Sequence, residues 1–381
     1  MIWQNLAQKF RLLARTFFLF EPMNFILWVC ATECPRNMRH QLIQLFLLLP
    51  FVASSQLYTI SGRPLSVPEF ELQLKKKMDS LKVKGMSVAL IRNGKLVYEK
   101  GFGYADLKAE RPVDKQTLFE AASLSKAVFA TYVHYLAEKG LIDIGRPLYE
   151  YLPSEDIDDL RYKKINARMV LSHSTGLPNW RETKRMKLAF EPGTQFGYSG
   201  EAFMYLAKVI AHLQKTDLKE LDETFQETFA KPWKLRNFNF VITDKIQKHL
   251  ALGYQGDSVV RDDRDRSFFD PAGGLYANAA SFSQFLLQLL KNKNRYEELF
   301  EQRIGLKNDD PIRQYFGITG WSLGVAVIPS TAGTGYWHGG NNLGFTSSFM
   351  IDPIKEFGYV FFTNADQCND MKKVFEELLW N

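Results

Sequence analysis

The sequence predicts a mixed fold in which strands from both ends of the chain build one sheet, with a mainly helical region inserted between them. Three observations carry that expectation. Near the start, the turn signal Asn93-Gly94 separates two β-type runs. The middle, residues 143–315, is mostly helical pattern broken by Pro and Gly loops. Beyond it the hydrophobic period returns to two. With 381 residues, 46% hydrophobic and 24% charged, the chain has ordinary globular composition and enough length for a large core.

The elements follow in order. Residues 69–82 read as a helix, because Phe70, Leu72, Leu74, Met78 and Leu81 fall mostly on one side. The hairpin comes next, with residues 86–91 and 95–98 as its arms. Residues 121–139 read as a long helix stopped by Gly140. Residues 179–200 and 253–274 read as long loops running from the surface to a cleft, and the charged stretch 261–266 as a solvated loop. Residues 322–328, 336–351 and 358–363 read as three strands, and residues 371–380 as a closing amphipathic helix. A cleft is expected where the sheet and the helical region meet.

The first 55 residues have their own pattern. Arg36, Met38 and Arg39 precede an apolar run over 42–52, and Ala53, Ser54 and Ser55 follow it. A basic start, an apolar core and a small-residue exit are the marks of a secretory signal peptide. The run is shorter than the roughly 20 apolar residues that span a bilayer. The expected organisation is an extension plus signal peptide over 1–55 and one domain over 56–381, exported to a periplasm or secreted. Residues 1–37 are aromatic and patternless, so a start at Met38 is expected rather than at Met1. A membrane-associated extension is the alternative, and membrane association is expected only through this segment. Cys30 and Cys34 lie before the proposed cleavage, which leaves Cys368 alone and no internal disulfide. The six His are scattered without metal-ligand spacing, so no metal is expected. The net charge of +6 comes with no basic run interleaved with aromatics, which argues against nucleic acid as a partner.

Three groups carry chemistry. Ser123 and Lys126 stand three positions apart after Phe119-Glu120-Ala121-Ala122, so on a helix they share a face. A serine hydroxyl needs a base beside it, and a lysine amine can be that base once burial lowers its pKa. Ala121 and Ala122 leave room around the hydroxyl. The second group is Tyr198 within Phe196-Gly197-Tyr198-Ser199-Gly200-Glu201, a loop tyrosine that as tyrosinate near cations can take or give a proton. The third is His338-Gly339-Gly340-Asn341 after Trp337, in a strand pattern whose paired glycines fit a close approach to the backbone. A strand N–H beside that of Ser123 forms an oxyanion hole.

Together the order and spacing of these groups resemble the penicillin-recognising serine hydrolases: class C β-lactamases, D,D-carboxypeptidases, D-aminopeptidases and related esterases. The resemblance covers roughly residues 69–366. It implies a β-lactamase/transpeptidase-like α/β (α+β) sandwich, a mainly antiparallel sheet flanked by helices. It implies that Ser123 is acylated with Lys126 as base, coupled to Tyr198. It implies that His338, Gly339 and Gly340 form the third family element, with Asn341 giving the second oxyanion N–H. Residues 169–178 and 271–276 look like family landmarks, which makes His173 scaffold; His134 and His212 read as structural. No cofactor is required, and the partner is a small-molecule or peptide substrate. One departure stands out: Gly200 occupies the place where the family often has Asn. The reading is therefore an esterase or D-amino-acid peptidase. The alternatives are a true β-lactamase, a D,D-carboxypeptidase, or a non-catalytic penicillin-binding-like sensor. Slow turnover of β-lactams is expected, with Gly200→Asn raising it.

Overall fold

The structure is a computed structural model that describes residues 56–330 and 333–380. The proposed signal segment, with Cys30, Cys34, Arg36, Met38 and Arg39, lies outside the described residues.

Along the chain, strands β1 (Gln56–Tyr58) and β2 (Pro64–Ser66) precede helix α1 (Val67–Ser80). Then come β3 (Gly85–Arg92), β4 (Lys95–Asp106), β5 (Arg111–Pro112), β6 (Phe119–Glu120) and α2 (Leu124–Glu138). The middle contains α3 (Ala167–Leu171), α4 (Gly200–Leu213), α5 (Leu221–Phe225), α6 (Asp244–His249), the short strands β7 (Tyr254–Gln255), β8 (Ser258–Val259) and β9 (Tyr276–Ala277), and α7 (Ala279–Lys291). The last part holds β10 (Ile304–Gly305), α8 (Pro311–Phe316), β11 (Gly320–Trp321), β12 (Ala326–Ser330), β13 (Gly333–Asn342), β14 (Phe345–Asp352), β15 (Phe357–Thr363) and α9 (Met371–Phe375).

Nine strands form one sheet in the order β10-β11-β12-β13-β14-β15-β3-β4-β5. Every neighbouring pair is antiparallel. The two chain ends meet where β15 pairs with β3, Gly358 opposite Ile91 and Thr363 opposite Met86. Alternate residues then face opposite layers, as the pleat requires. Ala89, Ile91, Phe349, Ile351, Val360 and Phe362 join the core under α2, α4 and α7. Met86, Val88, Leu90, Met350, Tyr359 and Phe361 join a second core with Phe70, Leu74 and Met78 of α1 and Met371 and Phe375 of α9. The predicted sandwich, with its sheet built from both ends, is the observed one.

Several elements differ from the sequence reading. The single strand expected over 336–351 is a hairpin of β13 and β14, closed by Asn342 opposite Phe345 and by Gly344 at φ +81°. The turn residues Asn342 and Gly344 stand in the sequence, but there the glycines read as a close approach to a strand backbone. The helix expected from residue 121 begins at Leu124, because Ala122 has φ +48° and cannot be helical. Leu72, expected on the buried side of α1, is exposed, while Phe70, Leu74 and Met78 are buried. The Asn93-Gly94 turn has positive φ at both residues, as a type I′ hairpin requires.

The charged stretch 261–266 is not simply solvated, which corrects the expectation. Arg264 and Arg266 both pair with Glu120, whose side chain is buried, and Asn342 Nδ2 donates to Glu120 Oε2 at 2.7 Å. Glu120 sits on β6 just before the Ser123 turn. The clamp therefore ties that strand, the 261–266 loop and the end of β13 together. A buried carboxylate is retained only when paired, and that is what draws the loop inward.

Candidate active site

Ser123 is presented by a tight turn between β6 and α2. Ala122 is held in the left-handed region at a cost of roughly 1 kcal/mol. The turn is secured from two sides. Ser125 Oγ donates to the Ala122 carbonyl at 2.6 Å, and Ser347 Oγ donates to the Ala121 carbonyl at 2.7 Å. Ser123 is the cap residue of α2, and its side chain makes no cap bond. Its hydroxyl is thus free for other partners at the positive end of the helix.

One turn into α2, Lys126 is fully buried. Its Nζ lies 3.2 Å from Ser123 Oγ and donates to the Ala272 carbonyl at 2.6 Å. It also lies 4.9 Å from the centre of the Tyr198 ring. Burial pulls its ammonium down to about 7, with the Asp270 carboxylate opposing part of that fall. Near neutrality the amine is therefore available as a base, a state an exposed lysine does not reach.

Tyr198 precedes α4, whose cap Ser199 accepts from Ala202 N–H at 3.0 Å and donates to the Pro178 carbonyl at 2.7 Å. The Tyr198 hydroxyl is hydrogen-bonded with Ser123. Burial pushes the phenol well up, and the bond to Ser123 offsets only part of this. Tyr198 is therefore a neutral phenol, which corrects the expectation of a tyrosinate: burial disfavours the anion more than the bond to Ser123 favours it. His173 stacks on the Tyr198 ring at 4.1 Å and accepts from Ser199 N–H at 3.1 Å through Nδ1. Its contacts are with the tyrosine's support, as a scaffold residue requires.

β13 supplies the opposite wall. β12 pairs with β13 only as far as Trp337, so the edge from His338 to Asn342 is not covered by β12. A Cβ on Gly340 would lie 2.9 Å from Ser123 N, 2.7 Å from Ala121 O and 2.5 Å from Ser347 Oγ. The strand thus runs directly against the Ser123 amide, which only glycine permits. A Cβ on Gly339 would strike the Trp337 indole at 2.5 Å. Asn341 is on the rim, its side chain tied to Asp366, Thr346 and Gln367 N–H. His338 is buried; Nδ1 donates to the Gly339 carbonyl at 2.8 Å, which leaves Nε2 as an acceptor without a partner among the described residues. Burial, with the nearby Lys126 charge adding to it, pulls the imidazole down to about 3, so it is neutral.

Ser123, Tyr198, His338, Gly339, Gly340 and Asn341 line one pocket of about 240 Å³, with Lys126 beneath it. All seven residues singled out in the sequence are brought together. The pocket's remaining wall went unrecognised: Ile312 and Phe316 of α8, Trp321, Trp337 and Asn369. Except for Trp337, which neighbours the glycine pair, no local signal marks them. Among the described residues no group of three or more His, Cys, Asp or Glu is placed to hold a metal ion.

The Gly200 departure has a structural cause. A Cβ there would lie 2.8 Å from the Trp180 indole and 3.0 Å from the Asn179 carbonyl. Restoring the family's amide by Gly200→Asn alone, as the sequence reading suggested, therefore displaces Trp180 first. The variant is expected to lose about 1 kcal/mol, or roughly 2–4 °C in Tm. Adding Trp180→Ala should then cost less than it does in the wild type, with only the Asn179 carbonyl contact left to accommodate. Thermal melts of the two single variants and the double variant check this coupling; strictly additive losses would show that Trp180 is not the obstacle.

A family model described as "Beta-lactamase" matches residues 70–376. The chain is 21% identical to "Protein flp" of Staphylococcus aureus strain MW2 over 313 residues, covering 74% of this chain and 60% of that protein. It therefore spans about 60% of the length of the curated relatives of that kind. Among solved structures, a class C β-lactamase superposes with a TM-score of 0.69 at 18% identity, covering 82% of this chain and 96% of that one. The octameric penicillin-binding protein homologue from Pyrococcus abyssi superposes with a TM-score of 0.68 at 19% identity, covering 83% and 79% of the two chains.

Proposed function

Because this chain belongs to the β-lactamase family, we propose that it is a serine hydrolase that works through an acyl-enzyme on Ser123 and acts on neutral ester or amide substrates. The carrying observation is Lys126, wholly buried, 3.2 Å from the Ser123 hydroxyl and pulled down to about 7. As Ser123 Oγ bonds to the substrate carbonyl carbon, its proton passes to the Lys126 amine. The carbonyl π electrons move to oxygen, and the oxyanion is held by the N–H groups of Ser123 and Asn341. Collapse of the intermediate breaks the bond to the leaving group, which takes the proton from Lys126 through the Tyr198 hydroxyl. Water then attacks the acyl-enzyme, gives a proton back along the same route and frees the acid and Ser123.

The walls of the pocket support this substrate class. Among the described residues, no Lys or Arg lines the pocket around Ser123, and its large side chains are aromatic or aliphatic. His338 stands where β-lactamases of the family carry the lysine of Lys-Thr-Gly, and it is neutral above about pH 3. A substrate carboxylate would lose its hydration there and gain no cation, a loss of several kcal/mol. Neutral leaving groups carry no such penalty. Steady-state kinetics on p-nitrophenyl acetate and nitrocefin test this. The ester is expected to have the higher kcat/KM. A nitrocefin value well above that of the ester would make the chain a β-lactamase. No turnover of either, with no labelling by an acylating probe, would make it a binding protein.

A further inference from the structure

We propose that Asp270 is a positioning residue for the reaction: it shapes the turn that presents the Ala272 carbonyl to Lys126, and it supplies the counter-charge when that amine becomes an ammonium. The inference rests on Lys126 being the base.

The geometry begins with the turn. Asp270 Oδ1 accepts from Ala272 N–H at 2.8 Å and from Gly273 N–H at 3.2 Å. The Ala272 carbonyl is thereby aimed at Lys126 Nζ, 2.6 Å away. Gly274 N–H closes the loop on the Asp270 carbonyl at 3.0 Å. The other carboxylate oxygen, Oδ2, has no hydrogen bond or ion pair among the described residues; it faces the cleft that Arg181, Arg264 and Arg266 also line, and Arg264 is already paired with Glu120 and Asp262 and Arg266 with the same two.

Titratable groups face Lys126 from four elements besides its own helix. Tyr198 comes from the loop before α4, and burial keeps it a neutral phenol. His173 comes from the turn after α3, and burial keeps its imidazole neutral. His338 comes from β13 and is neutral above about pH 3. Asp270, from the loop before β9, is the charged one of the four and attracts the ammonium. Phe203 adds only an apolar wall, 5.7 Å away at its ring centre. Proton transfer from Ser123 creates a positive charge in this closed space. Without a counter-charge that step meets the full cost of burying an ion. Asp270 opposes that cost from outside the Ser123 pocket.

The sign of the pH effect follows. Lys126 must be neutral to accept a proton, so kcat/KM falls as pH drops through its pKa. Attraction to Asp270 favours the charged form and holds that limb at higher pH. Asp270→Asn keeps an oxygen for the two turn N–H groups and removes the charge. The acid limb of kcat/KM for p-nitrophenyl acetate, expected near pH 7 in the wild type, should then move about one unit lower. At pH 5.5 the variant should keep a roughly five- to tenfold larger fraction of its own plateau than the wild type does. Asp270→Ala, which also loses the turn, should shift the limb and lower the plateau as well. Asp270→Glu keeps the charge and should leave the limb in place; with Asp270→Ala it decides the matter should the Asn variant not fold. A limb unmoved in the Asn variant, or in the Ala variant, overturns the role of Asp270. The underlying reading fails differently: the wild type would show no acid limb near pH 7, or Lys126→Met would retain it.

Discussion

Ser123→Ala is expected to abolish labelling by an acylating probe and to lower kcat/KM by about 10⁴-fold or more. Ser125→Ala is expected to remain labelled. The two serines are neighbours of the same lysine in sequence, but their surroundings differ. Ser123 Oγ is partnered with Lys126 and Tyr198 at the pocket. Ser125 is fully buried; its Oγ donates to the Ala122 carbonyl and accepts from Leu275 N–H at 3.0 Å. No carbonyl substrate reaches it, since it is fully buried and adjacent helix positions such as Ser125 and Lys126 diverge by about 100°, which leaves Ser123 on the lysine's face. Loss of the Ser125 hydroxyl should appear in stability, at about 1–3 kcal/mol for two buried hydrogen bonds, and in a looser Ala122 turn that slows Ser123 without removing it. Mass mapping of the probe adduct, with a thermal melt of each variant, checks both halves. An adduct on Ser125 would reverse the assignment.

Gly340→Ala is the second change with a large expected effect. The added methyl meets the Ser123 amide nitrogen at 2.9 Å and the Ala121 carbonyl at 2.7 Å, both backbone atoms that cannot swing aside. Either β13 moves off the nucleophile or the Ser123 turn rotates. Both widen the space between the donors proposed to hold the oxyanion. Losing one such donor costs about 10²–10³-fold in kcat, while overpacking costs about 1–3 kcal/mol of stability. The variant is therefore expected to fold, melt lower, and be acylated at least a hundredfold more slowly. Stopped-flow acylation of protein shown folded by circular dichroism is the measurement. A rate within threefold of the wild type would place the oxyanion elsewhere.

The readable parts of the fold were those with local causes. Asn93-Gly94 predicts its hairpin because its backbone conformation is nearly unique to such pairs. The period-two runs at both ends predict one sheet, because each needs partners and the middle offers few. The β13–β14 turn was hidden because Gly339-Gly340 and Asn342-Leu343-Gly344 lie together, so the glycines that mark the turn were taken with those that admit a close backbone approach. The two-residue strands β9, β10 and β11 were hidden because two residues carry no period. The inward pull of Arg264 and Arg266 was hidden because a run of charges looks the same whether it faces water or a buried Glu120 nearly 150 positions away in sequence.

The sequence by itself determined the candidate set of reacting groups. Ser123 and Lys126 share a helix face at a spacing of three, Tyr198 sits between glycines, and the paired glycines after His338 mark a backbone that something approaches. These are short-range facts of spacing and side-chain size, and the folded chain places them all at one pocket. Only the tertiary structure decided the state and setting of each group. The Lys126 ammonium is pulled down to about 7 because the chain closes around it. Tyr198 stays protonated for the same reason, and His338 turns from a potential cation into a neutral acceptor. The Trp180 indole, 20 residues before Gly200, lies where a Cβ on Gly200 would go, and among the described residues Asp270, 144 residues after Lys126, supplies the opposite charge that acts on it. Burial and long-range contact set these properties, because desolvation and Coulomb attraction depend on distance in space, which no spacing along the chain encodes.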